Sequence, residues 1–196
     1  MPWNKNKVMA ELTKVAGKEI MIALCIALNI VGSNIALLLK LPIYLDTIGT
    51  ILAASLAGPV GGVTVGALTS IIVGLTTDLF SLYYLPVQLI IGFIAGLVYS
   101  HYAADTFKKL WWLAIIISLP ATLVSSAITL FLFHGITSSG SAIIVQILAK
   151  LGLSKGLAVF LVQVGTDYLD RLVAIYVVSL VYKALKSRMS LRVTKY

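Results

Sequence analysis

The chain of 196 residues is 60% hydrophobic and only 11% charged, with a formal net charge of +8 at pH 7 and a mean hydropathy of +1.03. Its length suits a single domain over residues 1–196, and no soluble class matches so high a hydrophobic fraction. The composition therefore predicts an all-α integral membrane protein. The basic residues lie at the ends of apolar segments, which is typical of membrane topology rather than of nucleic-acid binding.

Six apolar segments follow one another, and most approach the roughly 20 residues that a helix needs to cross about 30 Å of hydrocarbon. Gly58-Pro59 predicts a tight turn after the second segment, and Pro120 predicts a kink in the fifth. A helical pattern over residues 142–151 predicts a short interfacial or re-entrant helix. The predicted spans are residues 20–39, 41–57, 63–79, 85–100, 110–133 and 156–185.

Lysine and arginine set the predicted orientation, because cytoplasmic ends of spans carry more of them than outer ends do. With the N-terminus inside, the outer connections hold only Lys40, Lys150 and Lys155. The inner side then holds Lys5, Lys7, Lys14, Lys18, Lys108, Lys109, Lys183, Lys186, Arg188, Arg192 and Lys195. This bias predicts six transmembrane helices with both termini in the cytoplasm.

The outer connections carry aromatic and hydrogen-bonding side chains, which predicts an outward-facing ligand pocket. Tyrosine rings can stack on a flat ligand, and a few carboxylates and amides in an apolar cavity can fix its orientation. The residues concerned are Tyr44, Asp46, Asp78, Tyr83, Tyr84, Gln88 and His134.

Each of these residues also has a structural interpretation. Asp46 could be the N-cap of the second helix, and Asp78 could cap a following turn. The tyrosines could form an interfacial aromatic belt. Gln88 and His134 could be solvated at the ends of their spans.

The sixth span holds Gln163, Asp167, Asp170 and Arg171 at positions i, i+4, i+7 and i+8, so they share one helix face. A charge at the bilayer centre costs roughly 2.5–3.5 kcal/mol, which predicts that this face is buried. Asp167 and Arg171 are spaced as an i,i+4 ion pair, and we also predict an internal ion pair between Asp170 and Arg171. The face either locks the bundle with an internal ion pair or forms the floor of the pocket, with Gln163 and Asp167 above Asp170 and Arg171.

The first span contributes the polar residues Asn29, Ser33 and Asn34, which either line the pocket or bond neighbouring helices. Small residues four apart allow close helix approach, within the chain or to a partner. Such pairs are Ala23-x-x-x-Ala27, Gly62-x-x-x-Gly66 and Gly92-x-x-x-Gly96.

These features together resemble the substrate-binding S components of energy-coupling factor (ECF) vitamin transporters. The stretch LPIYLDTIGTILAASLAGPVGGVTVGALTSII is similar to the branch assigned to hydroxymethylpyrimidine or pyridoxine. The resemblance implies a multi-pass protein of the bacterial cell membrane. Such a protein binds a vitamin near the outer face, under loops that close over it, and docks onto a scaffold subunit that carries two ATPases.

The resemblance also implies roles for particular residues. Ala23 and Ala27 map onto the surface that docks to the scaffold, while Asp170 and Arg171 have no assigned family role. Asn34 belongs to the predicted polar lining. The other pocket positions map onto Tyr44, Asp46, Asp78, Tyr84, Gln88, Gln163 and Asp167.

Other functions fit parts of the pattern. A membrane sensor or a self-sufficient small carrier would share the hydropathy, and Asp167-x-x-Asp170 is similar to the metal-binding acids of intramembrane lipid-diphosphate enzymes. Arg171 could neutralise these acids without a metal. The chain has no G-x-x-x-x-G-K-[ST] motif, so ATP hydrolysis is expected in partner subunits. We expect no catalytic residue, cofactor, metal or nucleic acid.

Overall fold

The structure is a computed structural model that describes residues 5–101 and 109–193. Lys108 and Lys195, which contribute to the predicted orientation, lie outside these residues. The described chain is helical apart from its connections. Its elements are α1 (Lys5–Leu38), α2 (Ile48–Thr76), α3 (Phe80–Tyr83), α4 (Leu85–His101), α5 (Leu110–Phe131), α6 (Ser141–Lys150) and α7 (Lys155–Val193).

Three of the described helices are long and apolar enough to cross a membrane: Gly17–Leu38 within α1, Ile48–Thr76 and Leu110–Phe131. Leu85–His101 and Ser141–Lys150 are shorter apolar helices. α7 is longer than any of them, but Asp167, Asp170 and Arg171 interrupt its apolar sequence. The chain is therefore a helical membrane protein.

The backbone of α2 reverses direction at Gly58. The side-chain amide of Asn29 donates to the hydroxyls of both Thr50 and Thr69, at 2.9 and 3.2 Å. In a straight helix these threonines would be about 28 Å apart. Gly58 has φ 73° and ψ −169°, which a residue with a Cβ rarely adopts, and Pro59 follows it. The turn predicted at Gly58-Pro59 is therefore present, and α2 has two antiparallel arms, 48–57 and 59–76.

Glycines allow the second arm of α2 to pack backbone to backbone against α4. A Cβ added to Gly62 would lie 2.6 Å from the Gly92 carbonyl oxygen, and one added to Gly66 would lie 2.9 Å from that of Gln88. A Cβ added to Gly96 would likewise lie 2.3 Å from the Cα and the backbone nitrogen of Pro59. Both glycine pairs therefore serve packing within the chain.

The helix that follows the first outer connection begins at Ile48, whereas the apolar pattern begins at Leu41. Residues 39–47 form an irregular loop, in which Leu45 has φ 54°. Hydropathy reports burial but not backbone conformation, so a loop packed inside the bundle has the same apolar sequence pattern as a helix. The short helix predicted over 142–151 is confirmed as α6, whose Val145 packs against Ala158 and Val159 of α7.

Candidate ligand pocket

A cavity of about 80 Å³ lies at one end of the bundle, between the connections 39–47, 77–84 and 132–140. Asp167 also lines the cavity. It lies 12 residues, or about 18 Å, from the first residue of α7, so the cavity extends into the bundle. Its polar and aromatic lining consists of Ser33, Tyr44, Asp46, Thr69, Ser70, Asp78, Phe80, Ser81, Tyr84, Gln88, Ser125, Thr137, Ser138, Ser139, Asp167 and Arg171.

Asp46 is held by Gln88. The amide nitrogen Nε2 of Gln88 donates to Asp46 Oδ2 at 2.9 Å and to the Asp46 carbonyl oxygen at 3.1 Å. The amide oxygen of Gln88 in turn accepts from the Thr50 hydroxyl at 3.1 Å. The N-cap of α2 is Thr47, so Asp46 does not have the capping role that the sequence left open. Gln88 therefore fixes the direction of the Asp46 carboxylate.

Burial raises the pKa of Asp46 to about 6, and the nearby Asp170 carboxylate contributes in the same direction. Arg171 and Gln88 oppose this shift. Because the folded-state pKa lies above the ordinary value, the protonated form stabilises the fold below pH about 4, and this contribution is lost as pH rises toward 6. Asp46 can thus gain or lose its charge under mildly acidic conditions.

Asp78 and Asp167 enter the cavity from other elements. The Ser138 hydroxyl donates to Asp78 Oδ2 at 2.8 Å, so this side chain bonds the loop after α5. The Ser125 hydroxyl of α5 donates to Asp167 Oδ2 at 2.8 Å. Each carboxylate thus has a neutral partner on another element, which positions it at the wall.

Two tyrosines complete the wall. The Tyr44 hydroxyl donates to Gln163 Oε1 at 3.1 Å, and burial raises the Tyr44 pKa above its ordinary value. The Tyr84 hydroxyl lies 2.5 Å from Thr129 Oγ1, and burial raises its pKa to about 12. Both hydroxyls therefore stay protonated near neutral pH and can donate hydrogen bonds. The Tyr83 side chain is 48% exposed and does not line the cavity.

The predicted burial of the polar face of α7 is confirmed, since Gln163, Asp167, Asp170 and Arg171 are at most 3% exposed. Among the described residues, Arg171 forms its ion pair with the adjacent Asp170. The sequence had offered two partners for Arg171, namely the adjacent Asp170 and, at i,i+4 spacing, Asp167. Adjacent residues can pair here because both side chains turn toward Thr47, whose hydroxyl lies 2.8 Å from Arg171 Nη1 and 3.1 Å from Asp170 Oδ2.

Asp170 also anchors the loop 39–47. Its Oδ1 accepts the backbone N–H groups of Tyr44 and Leu45, at 3.1 and 2.7 Å. Buried backbone N–H groups outside a helix need such partners, because an unpaired buried donor is costly. One buried carboxylate therefore fixes the loop that forms one wall of the cavity.

Several predicted site residues lie elsewhere. Asn34 donates to the Ile30 carbonyl oxygen of its own helix at 2.7 Å and does not line the cavity. Gln163 lies behind the wall, between Tyr44 and Thr129. His134 is an exposed residue at the end of α5 with φ 52°.

The contribution of α5 to the site was not predicted from the sequence. Ser118, Thr122, Ser125 and Thr129 are buried at a spacing of three or four residues, so they form one polar face. This face meets α7 through Ser125 and Thr129. The periodicity was visible in the sequence, but each hydroxyl is common in membrane helices and none carries a charge.

Ala23 and Ala27 are exposed on α1, away from the cavity. Leu24 and Val31 are 66% and 57% exposed on the same helix. In the contacts that the structure describes, α1 packs mainly on α2. This apolar surface of α1 is therefore open to lipid or to another protein.

Within residues 5–101 and 109–193, no group of three or more histidine, cysteine or acidic side chains is arranged to hold a metal ion. The Asp170 carboxylate is engaged by Arg171 and by loop donors. Asp167 and Asp170 thus have different hydrogen-bond partners, Ser125 for Asp167 and the loop donors with Arg171 for Asp170.

The chain matches a model of a known protein family. The family model described as ECF transporter, substrate-specific component, matches residues 18–188, which include all of α2 to α6 and most of α1 and α7. The comparisons with curated proteins and with solved structures found no match.

Proposed function

We propose that this chain, which belongs to the family of ECF transporter substrate-specific components, captures a small water-soluble vitamin or vitamin precursor at the outer face of a bacterial cell membrane. The family consists of transport subunits, not enzymes. The observation that carries the proposal is the cavity whose wall combines Asp46, Asp78 and Asp167 with Tyr44 and Tyr84. Such a site can stack on a ring and bond its substituents.

The size of the cavity favours a single-ring ligand. A volume of about 80 Å³ is several times the roughly 10–15 Å³ that one water needs, and it is small for riboflavin, folate or cobalamin. Hydroxymethylpyrimidine or pyridoxine would place a flat ring beside the tyrosines. Their ring nitrogens and hydroxyl groups would meet the carboxylates.

The proposed topology has six spans with both termini in the cytoplasm. The two arms of α2, together with α1, α4, α5 and α7, supply these spans. The connections around the cavity would then face outward, and the Gly58 turn would face inward. The chain would dock through α1 onto a scaffold subunit, and two ATPase subunits would supply the energy for import.

Ligand binding can be tested by thermal unfolding of the detergent-purified protein with a panel of water-soluble vitamins and precursors. A ligand at 100 times its Kd should stabilise the fold by about 2.7 kcal/mol. We expect hydroxymethylpyrimidine or pyridoxine to raise the Tm. A well-folded protein that no member of the panel stabilises would contradict the proposal.

Docking can be tested with Ala23→Trp. Ala23 is exposed and remote from the cavity, so the variant is expected to bind ligand normally. The indole would obstruct close helix approach, so co-purification with the scaffold and vitamin uptake should be lost. Ile116→Trp is a matched control, because Ile116 is 46% exposed on α5, which packs on α4 and α7. Normal complex assembly by Ala23→Trp would refute the docking surface.

A further inference from the structure

The wall of the cavity carries an excess of acidic side chains. Among the described lining residues, Asp46, Asp78 and Asp167 are acidic and Arg171 is basic. Arg171 already forms an ion pair with Asp170, which is not part of the lining. The guanidinium charge is therefore balanced before a ligand enters, and none of the three lining carboxylates forms an ion pair among the described residues.

These carboxylates retain capacity to accept hydrogen bonds. An ionised carboxylate offers about four lone-pair sites. The side-chain donors described for them are the Gln88 amide and the Ser138 and Ser125 hydroxyls. All three donors are neutral, so they orient the carboxylates without cancelling their charge.

Arg171 adds one donor to this acidic wall. Its Nε is buried and has no hydrogen-bond partner among the described residues, and the side chain is 2% exposed. A buried donor without a partner costs about 1–3 kcal/mol. Arg171 lines the cavity, so a ligand atom that accepts a hydrogen bond, such as a ring nitrogen or a hydroxyl oxygen, can bond its guanidinium group.

From this arrangement, and on the basis of the proposed function, we infer that the cavity selects small heteroaromatic compounds whose substituents donate hydrogen bonds or carry positive charge. The same cavity rejects compounds that bear a carboxylate. An anion would meet Asp46, Asp78 or Asp167 in a site of low dielectric constant, where like charges repel strongly. Arg171 cannot balance that repulsion, because its charge is already paired with Asp170.

Two matched series of ligands test the inference. On the pyridine ring of pyridoxine, one hydroxymethyl group is replaced by aminomethyl (pyridoxamine) or by carboxylate (4-pyridoxate). On hydroxymethylpyrimidine, the hydroxymethyl group is replaced by aminomethyl or by carboxylate. Within a series the ring and the size stay nearly constant while the charge changes. Affinities are measured by titration calorimetry on the purified full-length chain at pH 7.5.

We expect the hydroxymethyl and aminomethyl compounds of at least one series to bind, and the carboxylate to bind at least about tenfold more weakly. A carboxylate that binds as tightly as its parent would overturn the charge selectivity and leave the proposed function intact. If neither series binds but another vitamin stabilises the protein, an anionic vitamin refutes the inference and a neutral or cationic one supports it. If no compound in the whole panel binds, the proposed function itself is contradicted.

Asp167→Asn provides a second readout. The substitution keeps the shape of the side chain and removes its charge, so it should reduce the preference for aminomethyl over carboxylate by about tenfold. The neutral hydroxymethyl parent serves as the internal control, since its affinity should change less. An unchanged preference, with the parent still bound, would show that Asp167 does not set the charge selectivity.

The pH dependence of ligand affinity provides a third readout. Asp46 faces Gln88 of α4 and the charged groups Asp170 and Arg171 of α7, and its pKa of about 6 means that it loses its negative charge as pH falls below 6. Affinity for the aminomethyl compound should therefore fall between pH 7.5 and 5. Asp46→Asn should flatten this profile and thereby separate it from titration of the ligand. A profile unaffected by Asp46→Asn would contradict the assignment.

Discussion

Replacement of Asp170 by alanine is expected to lower both the thermal stability of the protein and its retention of a ligand. The carboxylate joins α7 to the loop 39–47 through two backbone amides and the Thr47 hydroxyl. Its removal also leaves the guanidinium of Arg171 buried without its counter-ion. Loss of one partner from a buried ion pair costs about 3–5 kcal/mol. Thermal unfolding and the ligand dissociation rate measure the two effects.

Two further variants separate charge from loop anchoring. Asp170→Asn keeps an oxygen that can accept the two loop amides but loses the ion pair, so ligand retention should suffer less than in Asp170→Ala. The double variant Asp170→Leu with Arg171→Met removes both charges and should recover much of the stability. Its ligand should still dissociate quickly, because the loop remains unanchored. Tight retention in the double variant would show that Asp170 acts only through its ion pair.

Gly92→Ala is expected to lower the free energy of unfolding by about 1–3 kcal/mol, or more where the backbones cannot separate. A Cβ at this position would lie 2.6 Å from the carbonyl oxygen of Gly62 and 2.7 Å from the amide nitrogen of Val63. These are backbone atoms, so α4 and the second arm of α2 would have to move apart. The Tm in detergent is the measurement.

Gly165→Ala is the matched control for this prediction. A Cβ on Gly165 of α7 would meet no atom within 4 Å, and the residue is exposed. Alanine in a helix interior is favoured over glycine by about 0.5–1 kcal/mol, so this variant should be neutral or slightly more stable. Equal Tm values for both variants would show that the close approach of α2 and α4 contributes little to stability.

The sequence predicted the helical membrane fold, the Gly58 turn and the burial of the polar face of α7, because hydropathy, backbone constraint and charge each leave a local signal. It did not predict the loop conformation of residues 41–47. That conformation depends on Asp170, more than 120 residues away along the chain, whose carboxylate replaces the hydrogen bonds of a helix.

The candidate site could be predicted only in outline. Charged residues such as Asp46 and Asp167 stand out in an apolar sequence because their burial is costly. Their partners Ser125 and Ser138 do not stand out in the sequence, since burial of a hydroxyl in a helix or a loop costs little free energy. Spacing alone left the pairing open: Arg171 has an acid at i−1, which was the predicted partner, and another at i−4, and the direction of the side chains decides between them.

The reversal of α2 also determines how far a ligand would have to travel. The first arm, residues 48–57, is only about 15 Å long, roughly half the thickness of a bilayer core. In the proposed six-span topology, the loop that precedes it would reach mid-depth of the bilayer before the helix begins. A ligand bound on that loop would then already have passed half of the hydrophobic barrier. The step that delivers it to the other side would need to open a path of only about one and a half nanometres.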